Sequence, residues 1–99
     1  MIDFDAIAGF QWDDGNARKN ERHGVSQGEA EQAFFDTRLL IMEGTQHSLR
    51  EPRYHALGMT REGRHLHITF TLRDGATLIR VIAARDMHRK ERAIHEQAV

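Results

Sequence analysis

The chain has 99 residues, 39% hydrophobic and 29% charged, with a formal net charge of −1 and no cysteine. This composition excludes a disordered chain, disulfides and thiolate metal sites, and it argues against a strong non-specific polyanion binder while leaving room for a local basic site. The length predicts one domain over residues 1–99, with loose termini expected at 1–9 and 96–99. The sequence has neither a membrane-length apolar run nor a basic signal peptide, which predicts a cytoplasmic protein without a membrane partner.

The first third of the chain predicts two helices. Residues 10–13 read as a short extended piece, and residues 14–23 are helix-compatible but mostly polar. Gly24 then suits the C-cap of this first helix. Ser26 and Glu29 have the spacing of a capping box, which predicts the start of a second helix.

The middle of the chain predicts four strands, at residues 39–42, at 53–59 and in the two arms of a hairpin over 65–85. Asp74-Gly75 joins the arms, because this dipeptide tolerates the positive φ values of a tight type I′ turn. Residues 87–97 read as a third helix. Strands grouped between helices, with local connections, predict an α+β fold: a four-stranded antiparallel sheet with two N-terminal helices and one C-terminal helix.

The turn also predicts which residues share each face of the hairpin. A two-residue loop places Arg73 opposite Ala76, and the pairs behind it follow. One face is then nearly all apolar. The other carries His65, His67, Thr69, Thr71 and Arg80. Because a purely structural hairpin usually has plainer residues on its second face, chemistry is predicted there. Strict alternation puts Arg85 on the opposite face from Arg80, unless the strand ends first.

Three segments of the chain resemble the BrnT family of type II toxins. The first is F-x-W-D at 10–13, followed by matching residues over 16–36. The second is E-x-R-Y-x-A-L-G at 51–58, and the third is I-R-V-I-A-A-R at 79–85 with Glu91-Arg92 beyond it. The chain departs from the usual family residues at three positions, where lysine, serine and an aromatic residue are common: Arg22, Ala83 and His95.

This resemblance implies a RelE-like ribonuclease, without a cofactor, that cuts RNA and inhibits translation. It also implies a hetero-oligomer with a cognate antitoxin similar to BrnA. A ribbon-helix-helix part of that antitoxin would bind operator DNA, and another part would mask the toxin. The competing interpretation is a catalytically degenerate toxin-like module that acts as a protein- or operator-DNA-binding partner.

A ribonuclease that uses no metal takes the 2′-hydroxyl of its substrate as nucleophile, and it supplies a base, an acid and cations. Arg80 and Arg85 are the predicted cations, because guanidinium groups bind phosphate bidentately and stay charged. For Arg80 the structural alternative is a bridge to an acid of the first or third helix. His67 is the predicted acid–base residue. Glu91 either pairs with one of the arginines or acts as the general base.

Five residues are predicted to contact RNA: Lys19, Arg53, Tyr54, Thr69 and Thr71. Tyr54 either stacks on a base or packs at the edge of the core. Lys19 either contacts a phosphate or is a solvated charge. His65 and His67 are two residues apart on a strand, which is a weak metal-binding pattern without a carboxylate beside it, so no metal site is predicted.

Overall fold

The structure, a computed structural model, describes residues 2–13, 15, 23–43 and 52–98. Within these ranges a short 3-10 helix (Phe4–Ala6) precedes the strands β1 (Gly9–Gln11), β2 (Leu40–Glu43), β3 (Tyr54–Met59), β4 (His65–Arg73) and β5 (Leu78–Asp86). The two α-helices of the described residues are α1 (Gln27–Ala33) and α2 (Arg89–Glu96). The strands form one sheet in the order β1-β5-β4-β3-β2. No helix in these ranges is long and apolar enough to cross a membrane.

The predicted sheet was wrong in strand number and in direction, although the α+β class agrees with the structure. The sheet has five strands, and β1 pairs parallel to β5 while the other pairs are antiparallel. A three-residue edge strand shows too little alternation to be recognised, and its partner lies far along the chain with no turn between them. Three helices were also predicted, whereas the described residues contain two α-helices; the first predicted helix, 14–23, lies mostly outside them.

The start of α1 follows the prediction. The hydroxyl of Ser26 accepts from the backbone N–H of Glu29 at 3.0 Å, and the Glu29 carboxylate accepts from the backbone N–H of Ser26 at the same distance. This reciprocal capping box satisfies two donors that a helix start leaves unpaired. Just before the cap, Val25 is 1% exposed and packs in the same core cluster as Ala30.

The core lies between α1 and one face of the sheet. It contains residues from α1, β3, β4 and β5: Ala30, Ala33, Ala56, Leu66, Ile68, Phe70, Ile79, Val81 and Ala84. Helix and sheet approach closely at Gly58, where a Cβ atom would collide with the carbonyl group of Ala33. The apolar face predicted for the hairpin therefore forms the core, and the second face of the sheet is free to carry polar groups.

The hairpin register differs from the predicted one. Arg73 pairs with Leu78 instead of Ala76, because the turn contains the four residues 74–77 instead of two. Three of the turn residues have positive φ values of 55°, 64° and 67°. The pairing has moved by two residues, which is the side-chain period of a strand, so the apolar residues near the turn keep their face.

A β-bulge interrupts β5 farther from the turn. Phe70 pairs with Val81, but the next residue of β4, Thr69, pairs with Ala83. Ile82 is therefore an extra residue in β5. An extra residue reverses the in–out alternation for the rest of its strand.

The bulge decides the position of Arg85. Arg80 pairs with Thr71 and Arg85 pairs with His67. The two partners are four residues apart on β4, so their side chains share a face. Arg80 and Arg85 consequently lie on the same face, contrary to what strict alternation predicted.

Candidate active site

The sheet face opposite α1 carries a polar cluster, which we call the histidine–arginine face. The side chains that define it come from all three central strands, from β1 and from α2: Gln11, His55, His67, Thr69, Arg80, Arg85 and Glu91. Four of these were predicted as catalytic and one as RNA-binding. The structure thus brings all four predicted catalytic residues onto one surface.

Arg85 and Glu91 form an ion pair on this face. The two guanidinium N–H groups donate to the two carboxylate oxygens at 2.8 and 3.0 Å, a bidentate geometry. The backbone N–H of His88 donates to the same carboxylate at 2.8 Å. The hydrogen bonds from Arg85, joined by that of His88, outweigh burial and lower the pKa of Glu91 to about 2. Glu91 is therefore ionised at neutral pH and holds the guanidinium in one orientation.

His67 lies beside this pair and is only 9% exposed. Its Nε2 is 3.9 Å from a carboxylate oxygen of Glu91. Burial, followed by the positive charge of Arg85, lowers the pKa of His67 to about 4, although Glu91 acts in the opposite direction. The imidazole is accordingly neutral at neutral pH and presents one nitrogen that can accept a proton.

His55 is a member of the face that the sequence reasoning missed. Its Nδ1 is 3.2 Å from the hydroxyl of Thr69, and its ring centroid is 5.1 Å from that of His67. The signal was present in principle, since pairing β3 with β4 in the observed register places His55 directly opposite Thr69. That register depends on residues distant in the chain, so no local motif reveals it.

Arg80 occupies the other end of the face. One guanidinium nitrogen donates to a carboxylate oxygen of Asp13 at 2.6 Å, and another donates to the side-chain oxygen of Gln11 at 3.4 Å. Arg80 thus bridges to an acid, but Asp13 lies just before the predicted first helix and not in the first or third helix, where the alternative expected the partner. Arg80 pairs with Thr71 and Arg85 pairs with His67, four residues away on β4. The two arginines are therefore ~13 Å apart along the sheet. They are separate cations on one surface and do not form a single clamp.

Two predicted RNA-binding residues are already engaged in contacts within the protein, Tyr54 on the opposite face of the sheet and Thr71 beside Arg80 on this one. Tyr54 is on the core face of the sheet, with its ring centroid 5.5 Å from that of Phe70. Thr71 is 1% exposed, and its hydroxyl donates to the carbonyl oxygen of Pro52 at 2.7 Å. Tyr54 therefore packs at the edge of the core, and Thr71 is occupied by a backbone contact.

The three remaining predicted RNA-binding residues have different positions. Thr69 belongs to the histidine–arginine face through its contact with His55. Arg53 is exposed immediately before β3. Lys19 lies outside the described residues. Among the residues that are described, no group of three or more histidine or acidic side chains is arranged to hold a metal ion.

A buried pair, Asp36 and His95, anchors α2. Nε2 of His95 is 2.7 Å from Oδ2 of Asp36, and their side chains are 0% and 6% exposed. The same carboxylate accepts hydrogen bonds from the backbone N–H groups of Met59 and Arg38 at 2.8 and 2.9 Å. Burial acts to raise the pKa of Asp36, but the hydrogen bonds outweigh it and the pKa is lowered. The pair thus ties the segment after α1, strand β3 and helix α2 together.

This anchor affects the histidine–arginine face through helix geometry. His95 and Glu91 are four residues apart in α2, so they share one side of the helix. Fixing His95 against Asp36 therefore directs Glu91 towards Arg85. Sequence reasoning noted His95 only as a departure from the family pattern, because a partner 59 residues away leaves no local signal.

Arg64 is a second unpredicted connector. Its guanidinium donates to both carboxylate oxygens of Asp86 at 2.7 and 3.2 Å, to Glu29 at 3.1 Å and to the carbonyl oxygen of Gly24 at 2.7 Å. It lowers the pKa of Asp86. Arg64 thereby joins the start of α1 to the end of β5, which steadies the strand that carries Arg80 and Arg85.

The chain matches a known protein family over most of its length. Residues 12–91 match the family described as "Ribonuclease toxin, BrnT, of type II toxin-antitoxin system". The matched range includes strands β2–β5 and extends to Glu91. No curated protein matches the chain. Since the match covers most of the sequence, the chain belongs to the BrnT family of ribonuclease toxins.

Proposed function

We propose that this chain is a metal-independent endoribonuclease that inhibits translation by cutting RNA on its histidine–arginine face. Family membership supports the ribonuclease class and an RNA substrate. The observation that carries the assignment of the site is the bulge at Ile82. It puts Arg85 beside His67 and within bidentate reach of Glu91, where a regular strand would have turned Arg85 towards the core.

The reaction proposed is attack of the substrate 2′-oxygen on the neighbouring phosphorus. The O2′–P bond forms, the P–O5′ bond breaks, and a 2′,3′-cyclic phosphate and a free 5′-hydroxyl result. His67 takes the 2′-proton, because its lowered pKa leaves the imidazole in the base form at neutral pH. His55, hydrogen-bonded to Thr69, is the candidate acid that protonates the leaving 5′-oxygen.

The positive charge in this scheme comes from Arg85. Its guanidinium stabilises the extra charge on the phosphorane oxygens, as preformed donors do in other phosphoryl-transfer sites. Glu91 is assigned the role of positioning Arg85. A carboxylate with a pKa of about 2 is a weak base, and both of its oxygens already accept hydrogen bonds from Arg85.

The proposed partner is a cognate antitoxin similar to BrnA, with a ribbon-helix-helix part that binds operator DNA. In the resulting hetero-oligomer the antitoxin would neutralise the toxin in the cytoplasm, and the toxin would reach DNA only through it. Membership in a type II toxin–antitoxin family supports an antitoxin partner. The chain is proposed to act as a single domain over residues 1–99.

The test is cleavage of defined RNA by purified, antitoxin-free protein in the presence of EDTA. Cleavage that leaves 2′,3′-cyclic phosphate ends and is unaffected by EDTA is the expected result. Activity that EDTA abolishes would contradict metal independence. Absence of cleavage of any RNA, ribosome-bound or free, would favour a degenerate module that only binds protein or DNA.

A further inference from the structure

The core-side face of the sheet has an apolar groove beside α1. A hollow of about 390 Å³ is lined by Phe4, Phe10, Phe35, Leu39 and Ile79 among others. A second hollow of about 330 Å³ shares Phe4 and continues to Ile41 and Tyr54. We call these two hollows together the phenylalanine groove. Because Phe10 and Ile79 belong to the core side of the sheet, the groove faces away from the histidine–arginine face.

Large apolar side chains at this groove are exposed to solvent. Phe35, at the C-terminal end of α1, is 77% exposed, and Phe4 is 38% exposed. An exposed aromatic ring beside a concave apolar surface is typical of a protein-interaction site, where a few aromatic anchors contribute most of the binding energy.

The charge around the groove disfavours RNA as its occupant. Asp3 and Asp5 are exposed beside Phe4, and Glu43 lines the second hollow. A polyanion would be repelled by these carboxylates, and bases cannot reach the groove without their phosphates. A protein segment that combines apolar side chains with Lys or Arg is complementary both to the apolar lining of the groove and to the carboxylates around it.

We propose that the phenylalanine groove binds a segment of the cognate antitoxin in which apolar anchors are flanked by basic residues. This inference rests on the proposed function, which supplies the partner. The groove and the histidine–arginine face lie on opposite sides of the sheet. Binding of antitoxin at the groove and cleavage of RNA are therefore separable by substitution.

The test compares Phe35→Glu with Ile94→Glu, a matched change at a residue that is 50% exposed on α2. The probe is the product of the reading frame that adjoins this gene, purified as the complex and titrated by calorimetry after separation. Phe35→Glu is expected to raise Kd by about 30-fold or more, as loss of an aromatic anchor does. Cleavage of RNA by the free variant should equal that of the wild type.

A second pair of variants tests the charge argument. Asp3→Lys with Asp5→Lys should weaken binding and flatten its dependence on salt, because the favourable charge pairs are lost. Glu62→Lys, an exposed acid in the turn between β3 and β4, is the control and should bind as the wild type does.

Three outcomes would overturn the proposal. The first is a Kd for Phe35→Glu within threefold of the wild type. The second is loss of RNA binding instead of antitoxin binding, which would make the groove an RNA surface. The third is self-association of the free chain that Phe35→Glu abolishes without changing antitoxin affinity. Calorimetry does not depend on cleavage, so failure of the proposed ribonuclease activity and failure of this docking site give different results.

Discussion

His67 lies beside the Arg85–Glu91 ion pair, and its protonation makes the stability of the fold depend on pH. Its pKa in the folded chain is about 4, compared with an ordinary value of 6.5. Between these pH values the unfolded chain binds more protons at His67 than the folded chain does. The free energy of unfolding therefore falls as the pH is lowered through this window.

The first prediction concerns this pH dependence. Lowering the pH from 7.5 to 5 should remove about 2 kcal/mol of stability through His67. His67→Gln should lose that part of the dependence, which urea unfolding at the two pH values would measure. Glu91 does not contribute to the pH dependence of stability in this range. The stabilisation that its lowered pKa provides is lost only below about pH 4.5. An unchanged slope in His67→Gln would show that the imidazole is not buried as described.

The second prediction separates the two roles open to Glu91. Glu91→Gln keeps the side-chain shape but loses the charge that orients Arg85, so kcat should fall by about 10- to 100-fold with little change in KM. The pH profile of kcat should keep its acidic limb, because His67 remains the base. Loss of that limb, together with a fall beyond about 1,000-fold, would instead identify Glu91 as the base.

At the residue scale, the sequence predicted those members of the histidine–arginine face that lie on one local element or carry a family motif. Arg80 and His67 followed from the hairpin, and Glu91 followed from the resemblance. His55 and Asp36 were missed because each depends on a partner distant in the chain. Tyr54 and Thr71 were predicted to contact RNA, but both side chains already have partners within the protein. A sequence pattern identifies the residue type and does not show that Tyr54 packs on the core or that Thr71 bonds to a backbone carbonyl.

Among the elements, β5 has the greatest influence on the site, because its bulge turns Arg85 towards His67. The third prediction is that deleting Ile82 and Ala83 together removes the bulge and turns the end of β5 over, because Ala84 then pairs with Thr69 and Arg85 pairs with Ile68. Cleavage should be abolished and the thermal midpoint lowered, since Ala84 would leave the core while Arg85 would enter it. Ile82→Val is the control and should retain both activity and stability.

A variant that lacks Ile82 and Ala83, folds and cleaves RNA at the wild-type rate would contradict the role of the bulge. Circular dichroism separates this result from simple unfolding. The segment I-R-V-I-A-A-R contains no glycine to mark a bulge, so the sequence alone was compatible with either register. The four-residue turn has a similar explanation, because Asp-Gly also suits a longer turn with several positive φ values.

Helix α2 reaches the site through its buried anchor, which gives the fourth prediction. Asp36→Asn should lower the free energy of unfolding by about 2–4 kcal/mol. The substitution removes the negative charge of the carboxylate, which now contacts His95 and accepts hydrogen bonds from two backbone N–H groups. Denaturant unfolding measures this loss. Asp5→Asn, at an exposed carboxylate, is the control and should change stability by less than about 0.5 kcal/mol. Equal stability of the Asp36 variant and the wild type would show that the pair does not anchor the helix.

For the whole molecule, the sheet separates two surfaces of different chemistry. One face carries histidines and arginines suited to RNA, and the other carries the core and the acid-rimmed phenylalanine groove. The sequence predicted the α+β class and the hairpin at its centre, because both depend on local periodicity. It did not predict the parallel edge strand, which depends on contact between the two ends of the chain.

The most direct test of the proposed activity is the cleavage rate of His67→Ala and Arg85→Ala in EDTA, measured on one RNA substrate beside the wild type. Arg61→Ala, an exposed arginine in the turn before β4, is the matched control. We expect each site variant to be slower by about 100- to 10,000-fold and the control to equal the wild type. Cleavage by both site variants at the wild-type rate would place the active site elsewhere on the chain.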